Sequence, residues 1–107
     1  MDNVVLSVNN VPIRLTSERW KHIVENHNDM AGYYYEILET VADPTFILEG
    51  DERDDLWAIK LVSARKAFLV IYKEMRGKND GFIITAFVTT KIKKLLKRRI
   101  IWKQQSQ

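Results

Sequence analysis

A chain of 107 residues, 46% hydrophobic and 29% charged, has the composition of one globular domain and not of a disordered chain. It has no cysteine, which excludes disulfides and thiolate metal sites. Its net charge of +3 is unevenly spread: residues 91–103 carry seven basic residues and no acid, whereas residues 1–90 carry ten basic residues against 14 acids, a balance of −4. Charge segregated in this way attracts polyanions. No apolar run approaches the ~18 residues that span a bilayer. The N-terminal Met1-Asp2-Asn3 is acidic where a signal peptide is basic, so the expectation is a cytoplasmic location with no membrane partner.

In chain order, residues 3–8 and 11–15 flank Asn9-Asn10, a pair that tolerates positive φ, and predict a β-hairpin. Pro12 cannot donate to a ladder and argues for an edge. Thr16 or Ser17 caps a helix whose Trp20, Ile23, Val24 and His27 recur at helical spacing. A second helix runs from about Met30 to Ala42, weakened by Gly32 and ended by Asp43-Pro44. Strands follow at 45–49, 56–63, 67–74 and 81–89, joined by short turns that predict an antiparallel meander. Residues 90–99 read as a short helix or a loop, and 100–102 as a final strand. The predicted architecture is one α+β domain over 1–107: two N-terminal helices on one face of an antiparallel sheet of about four strands, preceded by the hairpin.

Strand alternation groups the polar residues. If the apolar sets of each strand face the helices, the opposite face carries Lys60, Lys73, Thr85 and Thr89 beside Phe87, a surface suited to phosphate and base contacts. A solvated face of β-favouring threonines has the same pattern. His22 and His27 are five residues apart, roughly 140° around a regular helix, and cannot chelate one metal together. His27 falls near the end of its helix, where the macrodipole favours a cation, which suits a general acid or a phosphate contact. Packing at the core's edge is the plainer role for it. The acidic turn Asp51-Glu52-Asp54-Asp55 lacks a spaced cation-binding motif and reads as solvated. No metal and no cofactor is expected. Lys91, Lys93, Lys94, Lys97, Arg98, Arg99 and Lys103 exceed what solubility needs and predict salt-sensitive binding to phosphates.

Three stretches carry a family resemblance: "LTSERWKHIVENH" (15–27), "ILETVADPTFI" (37–47) and "FIITAFVTTKIK" (82–93) before Trp102. Together they resemble small bacterial and phage proteins of the barnase–EndoU–colicin–RelE-like (BECR) nuclease group. Members read as a histidine-bearing helix, a "T…P" helix-to-strand junction and a late strand with "TA" before an aromatic. The resemblance covers about nine-tenths of the chain. It implies metal-independent RNA cleavage of toxin type, with RNA as substrate and an acidic antitoxin or immunity protein as partner. By position His22 and His27 match the group's helical histidines, one of which the resemblance implies for proton transfer, with Lys60 and Thr85 for the phosphate. His27-Asn28-Asp29 departs from the histidine-proline common in the group. Two other readings remain beside it: a noncatalytic RNA- or DNA-binding module using 91–103, and an inactive nuclease-fold adaptor.

Overall fold

A computed structural model describes residues 2–105. Strands β1 (Asn3–Leu6) and β2 (Pro12–Leu15) precede helix α1 (Ser17–Asn26), a 3-10 turn at Asn28–Met30 and helix α2 (Tyr34–Ala42). Then come β3 (Phe46–Glu49), β4 (Asp55–Leu61), β5 (Ala67–Glu74), β6 (Gly81–Thr89), the short helix α3 (Ile92–Leu95) and β7 (Ile100–Lys103).

Local chemistry explains the ends of the elements. Thr16 has extended backbone and its hydroxyl accepts from Arg19 N at 3.1 Å, so it is the N-cap of α1. Asn10 takes φ 62° in the hairpin loop, the left-handed conformation that asparagine tolerates. Gly32 and the 3-10 turn delay α2 to Tyr34, and Asp43 before Pro44 closes it. The second helix is therefore shorter than the periodicity predicts.

The sheet corrects the predicted architecture. Among the described residues it has seven strands in the order β1-β2-β6-β5-β4-β3-β7, with three α-helices. It is mixed, because β2 lies parallel to β6 through Ile13↔Gly81 and Arg14↔Phe82 while the other neighbours are antiparallel. The hairpin is thus built into the sheet, and β1 instead of β2 is the edge. Pro12 is accommodated because the ladder to β6 begins one residue later, at Ile13.

Both faces are covered. On one, Ile23 of α1, Met30, and Ile37, Leu38 and Val41 of α2 pack on Ala58, Val70, Tyr72, Ile83 and Ala86. On the other, Leu48, Ile59, Ala67 and Leu69 form a second core under Ile92 and Leu95 of α3. The chain leaves β6 and must pass β5, β4 and β3 to reach β7, four strand spacings or about 19 Å. Residues 90–99 make that crossing over the face opposite α1 and α2, and α3 is its one helical turn. The basic segment is therefore a strap across a sheet face and not a free tail.

Two substitutions test the packing. Gly81 lies where β2 meets β6 and β5, and an added Cβ would stand 2.2 Å from the Lys73 carbonyl oxygen and 2.6 Å from Ile13 Cδ1. Backbone cannot yield there, so Gly81→Ala should cost roughly 3 kcal/mol, the upper end of overpacking, read as a lower urea midpoint. Tyr72 is fully buried and its hydroxyl has no hydrogen-bond partner among the described residues. Burial, helped by the charge of Glu74, holds its pKa above the ordinary 10.0. Tyr72→Phe should therefore stabilise the fold at pH 7 by about 1 kcal/mol. A raised folded pKa contributes stability that is intact below pH 10.0 and is lost as the pH rises beyond it, so the variant should also resist alkaline melting better than the parent.

Candidate nucleic-acid interface

The strap is amphipathic across its width. Ile92 and Leu95 turn down onto the second core, while Lys91, Lys93, Lys94 and Lys97 are exposed. Between strap and sheet lies a pocket of about 280 Å³ whose walls include Trp57, Leu69 and Phe87 and whose rim includes Lys91, Lys94 and Arg98. A second cavity of about 460 Å³ adjoins it, sharing Lys91 and Lys94 and adding Lys93 and Arg65 from the β4–β5 turn. An apolar, aromatic floor ringed by cations is the surface that single-stranded nucleic acid requires.

The seven cations of 91–103 do not act as one group. The Arg98 guanidinium stacks 3.9 Å above the Trp57 ring, donates to the Glu49 carbonyl at 3.0 Å and pairs with Asp51. Arg99 pairs with Glu49 at 3.6 Å. Lys103 stands on β7 opposite Phe46, at the sheet's far edge. Lys91, Lys93, Lys94, Lys97 and Lys103 make no ion pair with any described residue, and neither does Arg65 of the adjacent β4–β5 turn. A larger cavity, about 610 Å³, lies elsewhere, by the acidic turn. Six carboxylates and three arginines line it, so its charge is wrong for a polyanion.

The residues implied for catalysis divide between the two faces. Pairing of β4 with β5 sets Leu56, Ala58 and Lys60 on the helix side and Trp57, Ile59 and Leu61 on the other. Lys60 therefore lies with the helices, against the predicted grouping. Its Nζ donates to the Asp43 carbonyl at 2.9 Å, pairs with Asp43 Oδ2 at 3.2 Å and with Glu39 Oε1 at 3.1 Å, and so secures the end of α2. Partial burial alone would lower its pKa, but the hydrogen bonds and charges of Glu39 and Asp43 outweigh that and raise it. His22 is exposed on α1, with Nε2 3.3 Å from Asn26 Nδ2, and lines a separate cavity with Glu18, Arg19 and Glu25.

His27 is different. It is the C-cap of α1, and its ring lies 5.2 Å from the ring of Phe87, tilted by 31°. Phe87 in turn forms a wall of the 280 Å³ pocket, so His27 stands one ring away from it. Thr85 and Thr89 flank Phe87 at two-residue spacing on the same strand, hence on the same face. Thr89 lines the pocket, and its hydroxyl accepts from Lys91 N at 3.0 Å, leaving its proton to donate. Lys73 shares this face but lies six residues along β5 from Ala67, the partner of Thr89, which is about 20 Å of strand. It stands near Asp55 at 3.9 Å and outside the pocket.

The sequence alone does not single out Trp57, Arg65 or Leu69. Arg65 was the most accessible to reasoning, since an antiparallel meander returns the β4–β5 turn to the end of β6, where the strap begins. Among the described residues, no group of three or more His, Asp or Glu is placed to hold a metal ion, and no helix is long and apolar enough to cross a membrane. No family model, no curated protein and no solved structure matches the chain.

Proposed function

We propose that this chain is a metal-independent endoribonuclease of toxin type whose RNA lies on the sheet face opposite α1 and α2. The observation that carries the reading is the contact of the His27 ring with Phe87, which brings a proton-transfer group beside a wall of the aromatic pocket rimmed by the unpaired Lys91 and Lys94. On that face the ribose 2′-hydroxyl attacks the adjacent phosphorus. The O2′–P bond forms, the P–O5′ bond breaks, and the products are a 2′,3′-cyclic phosphate and a free 5′-hydroxyl. His27 is the group for proton transfer at these oxygens. Lys91 and Lys94 face the developing negative charge, and the Thr89 hydroxyl donates to a phosphate oxygen. His22 and Lys60 are outside this site. The partner that silences such a toxin would be an acidic protein that covers the strap.

A noncatalytic RNA- or DNA-binding module is the second reading, favoured by the isolation of His27 from His22, which leaves one histidine to serve both proton transfers. Incubation with a mixed RNA pool in excess EDTA separates the two. The proposal expects fragments ending in 2′,3′-cyclic phosphate. RNA that stays intact while still bound by the protein would sink the nuclease reading and favour the second.

A further inference from the structure

We infer that the 280 Å³ pocket is a subsite for one unpaired nucleobase, and that the chain's substrate is therefore single-stranded RNA; this rests on the RNA reading above and names the substrate class of that site. The volume sits just below the roughly 300–1,000 Å³ of small-molecule sites, which is room enough for one base. Phe87 and Leu69 supply an apolar floor. Arg98 lines the same pocket with one face of its guanidinium on Trp57, and stacking a base gives a role to a cation that is neutralised for phosphate binding. The Glu49 carbonyl, Asp51 and the Trp57 ring fix its guanidinium plane, so a base stacking on it pays little to order it.

The backbone follows from the neighbouring cavity. Lys91 and Lys94 belong to both pockets, so a base seated in the first puts its flanking phosphates beside Lys93 and Arg65 in the second. A duplex cannot satisfy this arrangement, because its bases are stacked and paired and its deep major groove is closed to side chains. A base enters a concave pocket only when it is splayed out of the strand.

The test uses the wild-type chain and a short 2′-O-methyl RNA, whose ribose lacks the nucleophile and so reports binding alone. The strand carries one 2-aminopurine and is titrated free and annealed to its complement. The single strand is expected to bind roughly 5- to 150-fold tighter than the duplex, the span of one stacked base, with quenching of the 2-aminopurine. Phe87→Leu keeps apolar volume but removes the ring, and should erase most of the preference and the quench. Equal affinity for strand and duplex overturns the pocket while leaving the RNA reading in place. A free nucleoside monophosphate that binds as tightly as the strand overturns single-stranded RNA as the substrate class. Failure of both strand and duplex to bind removes the RNA reading as well.

Discussion

His27→Ala should slow RNA cleavage by roughly 10²–10⁴-fold, the contribution of one positioned acid–base group. Binding of an uncleavable strand should change far less. The substitution also removes a ring stacked on Phe87, so a loss of about 1 kcal/mol of stability is expected and must be measured beside the rate. His27→Gln, which keeps bulk and hydrogen-bonding capacity without imidazole chemistry, should be as slow as alanine. His22→Ala should cleave at the parent rate, because that side chain is exposed on α1 and lines a cavity away from the strap. The reverse ranking, with His22 essential and His27 dispensable, would move the chemistry to the outer surface of α1.

The second large effect concerns the strap. Reversing Lys91, Lys93 and Lys94 to glutamate should weaken RNA binding on the order of 100-fold near physiological salt. If Arg65, Lys91, Lys93, Lys94 and Lys97 each meet a phosphate of a single strand, the slope of log affinity against log salt should be about −3.5, falling to about −1.4 in the triple variant. These lysines are exposed and unpaired, so the fold should tolerate the change. Neutralising Arg99, which already faces Glu49, should change the slope much less. A slope indifferent to the triple variant would detach RNA binding from the strap.

How far the sequence foretold this depended on whether information was local. The Thr16 cap, the hairpin, the stop at Asp43-Pro44 and the β4–β5–β6 meander are written in adjacent residues, and they are legible. The parallel pairing of β2 with β6 joins residues almost seventy apart, with no turn to announce it. β7 is four residues long and exposes Ile100 and Ile101, so burial pattern says little about its place. Face assignment failed for a different reason. With helices over one face and the strap over the other, both sides of β4 are apolar, and alternation cannot say which side meets α2. Lys60 was misplaced by that ambiguity.

A bulge in β6 adds a second error. Ile71 pairs with Thr85 but Tyr72 pairs with Ile83, so Ile84 is the extra residue. Beyond it the alternation slips by one, which puts Ile83 on the helix face, where unbroken alternation from Ala86 would put Ile84 and Phe82. Thr85, Phe87 and Thr89 lie before the slip, counting back from the strap, so alternation keeps them on one face. The basic segment was legible as a source of positive charge, but not that Glu49 and Asp51 would claim Arg98 and Arg99. Those acids belong to the β3 end and the turn after it, brought there by β7 pairing with β3.

The location of the RNA is the claim on which the rest depends, and amide shift mapping reaches it directly. A nitrogen-labelled sample titrated with a short 2′-O-methyl strand should shift the amides of His27, Thr85, Phe87, Thr89, Lys91 and Lys94, and of Arg65 in the neighbouring turn. Shifts confined to the outer surface of α1 and to Glu39, Asp43 and Lys60 would contradict the account.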